Sequence, residues 1–364
     1  MPDDPVADSP GVDLAPFGLA VGHATDDEGA TGLTVVRGVD GPFRAAAAIV
    51  GRATGTRDFG PLDPGHLVER VDAILLTGGS AYGLDAAAGV MRWLEERGRG
   101  FDVGVGVVPI VPAAVIFDLA PLGRPDRRPT PAMAYAAADA ASPRDIAEGS
   151  VGAGAGATVG KALGPAWAMK GGFGMARSAV RSRLPAPAGT VDERRAPSAE
   201  RPPLSVAALA VVNAFGDVRD AAGRIVAGAR DGAGGFADAT AVIRAGTLAA
   251  RFTAAPGPRN TTLALVALDR PLSRVALRAI ASAAAAALHR RITPAGTSFD
   301  GDVVFATSPL DAAGAAPVPL APAELLAAEV LAAAALEAAV ERAVRTARGR
   351  DGVPGLADHQ PPGH

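Results

Sequence analysis

The chain contains no cysteine, so thiol catalysis, disulfide staples and cysteine metal sites are excluded. Aromatic residues make up only 4% of it, so the interior must be built from small and branched side chains. That composition suits closely packed layers. The histidines (His23, His66, His289, His359 and His364) show no zinc-site spacing. No apolar run reaches membrane-spanning length without a charge. The start, Met1-Pro2-Asp3-Asp4, lacks the basic opening and apolar stretch of a signal peptide. A soluble, cytoplasmic protein is expected. The net charge of −3 offers no electrostatic case for nucleic acid or an anionic membrane as partner.

What is present is 364 residues, 49% of them hydrophobic and many of these alanine, enough to bury a sizeable core. Flexible tails are expected at 1–16 and 349–364, where Gly, Pro and Asp are frequent. Between them a single domain, 17–348, alternates strand-like and helix-like segments. Strands are expected at 73–76, 103–110, 206–212 and 263–268. The last is apolar throughout and should be buried on both faces. Helices are expected at 84–97, 275–289 and 322–348. Segment 184–203 mixes prolines with Asp192, Glu193, Arg194, Arg195, Glu200 and Arg201, and reads as an exposed loop inside the fold. Helices covering sheets, in a layered α+β or α/β domain, fit this order.

The chemistry concentrates in two stretches. In Arg259-Asn260-Thr261-Thr262-Leu263 a small hydroxyl residue stands at the mouth of an apolar strand. Asn-Thr before a strand is an ordinary turn on local sequence alone. However, asparagine tolerates the strained conformations that a self-cleaving peptide bond needs. Attack by the Thr261 hydroxyl on the Asn260 carbonyl would give an ester. Its hydrolysis would free an N-terminal threonine, whose amine (reference pKa about 8) serves as its own general base. Downstream, Ser298-Phe299-Asp300-Gly301-Asp302-Val303 carries two carboxylates. If 299–305 is a strand, both project to one side. Two acids that close repel, so one pKa should rise and that acid can move protons. A solvated turn is the plainer reading, and a divalent-metal site lacks further ligands.

Asn213 ends an apolar run, where a buried amide either donates to an oxyanion or caps a strand. Lys170, in the glycine-rich Met169-Lys170-Gly171-Gly172, either steadies negative charge or is solvated. The run from Gly152 to Lys161 resembles a phosphate loop, but Ala155 replaces the first required glycine and Ala162 the hydroxyl residue after the lysine. Tight backbone packing is the better account. Gly78-Gly79-Ser80-Ala81-Tyr82 fails as a nucleophile elbow because Tyr82 stands at the final glycine.

Five motifs in one order carry a resemblance. They are Leu76-Thr77-Gly78-Gly79-Ser80-Ala81-Tyr82-Gly83-Leu84-Asp85-Ala86-Ala87, Met169-Lys170-Gly171-Gly172, Val212-Asn213-Ala214, Asn260-Thr261-Thr262 and Phe299-Asp300-Gly301-Asp302. Together they resemble the L-aminopeptidase/D-esterase family of N-terminal-nucleophile hydrolases, which includes β-peptidyl aminopeptidases and nylon-oligomer amidases. The resemblance spans about residues 18 to 308. It implies an α+β fold with a four-layer αββα sandwich, self-cleavage between Asn260 and Thr261, and a homo-oligomer of two-chain protomers. The substrate implied is a small molecule or short peptide (peptide, β-peptide or related oligomer) cut at an amide bond, with no cofactor and no metal. Thr261 would be the nucleophile, Asn213 an oxyanion-hole residue, Lys170 a residue lining the site and Tyr135 the site tyrosine. Asp300 and Asp302 match the acidic pair of the nylon-oligomer type, whereas the peptidase type more often has a serine and a glutamate. The long 184–203 loop would change access. Ornithine acetyltransferases resemble this fold and also self-cleave before a threonine. An acyltransferase is therefore the alternative enzyme, and a non-catalytic, uncleaved homologue the alternative of another class.

Overall fold

The computed structural model describes residues 11–180, 203–248, 260–311 and 319–359. The strands that build its two main sheets are, in chain order, β1 (Leu19–Asp26), β2 (Thr31–Gly38), β3 (Arg44–Ile49), β4 (Thr56–Arg57), β5 (Ala73–Thr77), β6 (Ala113–Val115), β7 (Gly172–Ala179), β8 (Ser205–Asn213), β9 (Thr261–Leu268) and β10 (Val303–Ser308). The first sheet runs β1-β2-β5-β6-β4 and the second β7-β8-β9-β10-β3. The helices that pack on them are α1 (Ala87–Glu95), α2 (Pro131–Ala140), α3 (Arg274–Ala284), α4 (Ala286–Arg291) and α5 (Pro322–Arg345). The architecture is mixed α+β.

Period-two alternation explains how the sheets are buried. In β9, Ala264, Val266 and Leu268 enter one core, which they share with Leu277 and Ile280 of α3 and with Leu336 and Val340 of α5. Leu263, Leu265 and Ala267 enter another, with Val36, Ile74 and Leu76 of the first sheet. A third core joins the far face of the first sheet (Leu33, Val35, Leu75) to Val90 and Leu94 of α1 and to Ala134 and Ala138 of α2. A strand that feeds two cores must be apolar at every position, which is why β9 is buried from end to end. Each fully buried leucine contributes about 1.5–3 kcal/mol. The helices start where local chemistry caps them. The Thr130 hydroxyl accepts from the Met133 N–H (3.3 Å) before α2, and Ser273 accepts from the Ala276 N–H (3.2 Å) before α3.

Several expectations are corrected. Segment 103–110 is not one continuous strand. It belongs to a small hairpin, Phe101–Asp102 with Val107–Val108, whose tip leaves Val105 97% exposed. The helix expected at 84–97 begins as a 3-10 turn, Ser80–Ala86. The expected tails are shorter. Leu14 is buried, and Val353 packs with Ala30 and Leu122. Except for Pro203, the 184–203 loop lies outside the described residues. Among the described residues no helix is long and apolar enough to cross a membrane, and no group of three or more His, Cys, Asp or Glu is arranged to hold a metal.

Candidate active site

Strand register assembles the site. β8 and β9 are antiparallel, and Asn213 lies directly opposite Thr261. β9 and β10 are parallel, with Leu263 beside Val303. The same offset continues below the strand, where Asn260 bridges Asp300. The starts of β9 and β10 therefore share one sheet edge with the end of β8. Two stretches far apart in sequence become neighbours there.

The Thr261 Oγ1 donates to the carbonyl oxygen of Asn260 at 2.6 Å. The Gly301 N–H donates to the same oxygen at 2.9 Å. A hydroxyl and a backbone N–H thus converge on the carbonyl at the expected cut. A side chain at 301 would crowd this point, because its Cβ would stand 2.6 Å from the Thr261 Oγ1 and 2.8 Å from the Ala53 carbonyl oxygen. Thr261 is 5% exposed and Asn260 2%.

The carboxylates flank this point, but not as successive members of one strand. β10 begins only at Val303, and Asp300 and Asp302 lie in the segment before it. The Asp302 Oδ1 accepts from the Thr262 N–H at 2.6 Å and its Oδ2 from the Gly296 N–H at 3.0 Å. The Asp300 Oδ2 accepts from the Thr297 N–H at 2.8 Å. Both are 2% exposed, so they do not form a solvated turn. Burial, then the charge of Asp300, pushes Asp302 up to about 7. Burial also raises Asp300, against its hydrogen bonds from Thr297 and the nearby Lys161 charge.

Asn213 is fully buried, and its amide orientation follows from its partners. Oδ1 accepts from the Thr158 N–H (3.1 Å) and the Lys161 ammonium (2.9 Å), so Nδ2 is the end that donates to the Phe117 carbonyl (2.9 Å). Lys161 also donates to the Asn260 Oδ1 at 3.2 Å. Desolvation pushes this ammonium down to about 7, against the attraction of Asp300.

Two expected site residues stand elsewhere. The Lys170 ammonium donates to the carbonyls of Gly154 (3.3 Å), Ala155 (2.7 Å) and Ala157 (2.9 Å), none of which belongs to Thr261 or the acidic pair. An ammonium has three N–H donors, and three fixed oxygens occupy them. The Tyr135 hydroxyl, on α2, donates to the Glu96 Oε2 at 2.5 Å, and the Arg92 guanidinium lies 4.6 Å from its ring centroid. Sequence reasoning missed Lys161, discarded with the failed phosphate loop, as well as the Gly301 N–H and the Phe117 carbonyl.

This architecture has relatives of known structure. The L-aminopeptidase D-Ala-esterase/amidase of Ochrobactrum anthropi, a variant of the N-terminal-nucleophile hydrolase fold, aligns with TM-score 0.67 at 18% identity, over 95% of this chain and 90% of that one. A β-aminopeptidase of Burkholderia sp. aligns with TM-score 0.64 at 20% identity, over 96% and 92%. At such identities the likeness establishes the fold. In sequence, an uncharacterized aminopeptidase of Mycobacterium tuberculosis (strain ATCC 25618 / H37Rv) is 43% identical over 294 residues, covering 80% of this chain and 75% of the relative. A 6-aminohexanoate-oligomer endohydrolase of Kocuria sp. (strain KY2) is 30% identical over 294 residues, covering 80% and 73%. The class defined is a hydrolase acting on amide bonds. Residues 13–357 match the model of Peptidase family S58, and the chain belongs to that family.

Proposed function

We propose that this protein is a self-processing amide hydrolase that cuts its own chain between Asn260 and Thr261 and then uses Thr261 as an N-terminal nucleophile. The observation that carries the proposal is the convergence of the Thr261 hydroxyl (2.6 Å) and the Gly301 N–H (2.9 Å) on the Asn260 carbonyl oxygen. Attack of the Thr261 Oγ1 on the carbonyl carbon converts the amide into an ester, while the Gly301 N–H stabilises the developing oxyanion. The C–N bond breaks and its nitrogen becomes the Thr261 α-amine. Water then hydrolyses the ester, which leaves a carboxylate on Asn260 and restores the hydroxyl. The products are chains of 260 and 104 residues (364 − 260 = 104) that stay associated.

In the cut enzyme the threonine attacks a substrate amide, the amine leaves and water releases the acid. The free α-amine takes the hydroxyl proton. Asp302, poised near neutrality, gives and takes protons, and Asp300 orients the ammonium or hydroxyl of Thr261. Asn213 serves the oxyanion, and Lys161 replaces Lys170 as the lysine of the site. The layers form an αββα sandwich, and the two-chain protomer assembles into a homo-oligomer. The substrates are short peptides, β-peptides or related oligomers. The aminopeptidase and 6-aminohexanoate-oligomer relatives support this range.

The deciding experiment is intact mass under denaturing conditions, with N-terminal sequencing of the small fragment. A fragment beginning Thr261-Thr262-Leu263 is expected from the native chain, and neither fragment nor amidase activity from Thr261→Ala. Turnover retained by that variant removes Thr261 from its role.

A further inference from the structure

Lys170 and Asp118 are buried charges that the chemistry of Thr261 leaves unused. We propose that they are positioning residues, each clamping the backbone on one side of Asn213, so that together they hold the amide against which Lys161 and Asn260 are set. This rests on the reading of Thr261 as the nucleophile.

The two ends of Asn213 are held by segments that are themselves gripped. On the Oδ1 side, Thr158 donates to the amide, and the residues just before it are the ones Lys170 binds, at the carbonyls of Gly154, Ala155 and Ala157. The Gly171 N–H adds a second bond to the Ala157 carbonyl at 2.9 Å. Lys161, three residues beyond Thr158, takes its position from the same run. On the Nδ2 side, Phe117 accepts from the amide, and its neighbour Asp118 is pinned twice. The Asp118 Oδ1 accepts from the Gly79 N–H and its Oδ2 from the Thr31 hydroxyl, both at 2.6 Å. Gly78 permits the approach, since a Cβ there would stand 2.1 Å from the Asp118 Oδ2. Thr31 and Gly79 belong to β2 and the turn after β5, so the clamp ties the first sheet to the end of β8 in the second.

The charges suit a positional task. Burial pushes Lys170 down to about 7, with Arg350 adding to the effect, and pushes Asp118 up to about 6. A group so poorly solvated is held by its hydrogen bonds, and loosening it costs more than loosening an exposed one. The backbone N–H of Lys170 is itself bound to the Pro354 carbonyl at 2.9 Å, so the C-terminal segment closes over the clamp.

The test reads Lys161 and not activity, so it is independent of whether the chain cuts itself. In an uncut Thr261→Ala background, the Lys161 ammonium is titrated by NMR with Lys170→Met added, alone or together with Asp118→Ala. The charged groups acting on Lys161 are Asp300 and Lys170. If the clamp positions Lys161, both substitutions admit water to its ammonium and move its titration upward from about 7. Charge alone acts differently. Loss of Lys170 raises the titration by charge alone, so Asp118→Ala is read in the Lys170→Met background, where no charge is relayed through Lys170 and loss of the carboxylate leaves the titration unmoved or lowers it. An upward move in Asp118→Ala therefore supports the clamp, and an unmoved or lowered titration overturns it. Should Asp118→Ala not fold, Thr31→Val in the same background removes one bond to Asp118 and keeps its carboxyl; that bond holds the Asp118 pKa down, so any charge effect of its loss on Lys161 runs downward. This variant should also move Lys161 upward, and no movement overturns the proposal. In the native background the clamp variants should form fragments about tenfold to a hundredfold more slowly. A native chain that never cuts sinks the reading of Thr261 and leaves the titration to decide the clamp.

Discussion

Lys161 and Lys170 lie nine residues apart (170 − 161 = 9), and burial pushes both ammonium groups down to about 7. Their surroundings nevertheless give them unlike tasks. Lys170 meets three backbone carbonyls of its own neighbourhood, which no reaction alters. Lys161 meets the side chains of Asn213 and Asn260, one opposite Thr261 and the other at the proposed cut. A perturbed pKa marks a buried group, and the partners decide whether that group is scaffold or site.

The largest effect that would sharpen this contrast is expected from Lys161→Met. Removing the ammonium takes one bond from each of the Asn260 and Asn213 amides, and fragment formation followed by mass spectrometry should slow by about a hundredfold. Cleavage at the native rate would remove Lys161 from the site and break the comparison.

A smaller effect concerns stability against pH, where the two lysines should act alike. A lysine whose folded pKa is depressed binds fewer protons folded than unfolded. Its contribution therefore rises from about 7, the folded value, to the unfolded value near 10.4, and is lost as pH falls back through about 7. Asp302 and Asp118, with raised pKa values, act in a lower window. Their contribution is complete below the unfolded value near 3.9 and is lost as pH rises through about 7 and about 6. Melting temperatures measured across the alkaline window should rise less steeply in Lys161→Met and in Lys170→Met than in the native chain, and by similar amounts. An unchanged slope in either variant would mean that its lysine is not held in a depressed state.

The smallest effect belongs to Tyr135→Phe. The lost hydroxyl bonds Glu96 on the surface of the first sheet's helices, so stability should change by less than about 0.5 kcal/mol and cleavage hardly at all. A strong loss of turnover would return Tyr135 to the site.

Much of this was legible in the residues. The uninterrupted apolar run of β9 announced a strand buried on both faces, and the hydroxyl at its mouth marked the candidate nucleophile. The Asp-Gly-Asp triplet was legible as chemistry but not as geometry. A strand over 299–305 would set its carboxylates on one side, and a solvated turn was the plainer reading, yet they precede β10 and are buried, with bonds from Thr262, Gly296 and Thr297. The valines at 103, 105 and 107 pointed to a strand, but alternation carries no information about whether a partner sheet lies across from it. Lys161 was not legible in the sequence, because the glycine-rich run around it fits no phosphate loop and its partners Asn213 and Asn260 come from other strands' ends.

The sequence by itself determined which segments must be buried, that no thiol is available for chemistry, and that Thr261 follows a residue able to take a strained turn. Those are properties of composition and of neighbours along the chain. Tertiary structure alone decided that Asn213, Thr261 and Gly301 stand side by side, since strand register depends on how two buried faces align across a sheet. It also decided which of two buried lysines meets Asn260, the residue before Thr261. Both come from runs of small residues, and only the path of the backbone through the core sets which oxygens each ammonium can reach.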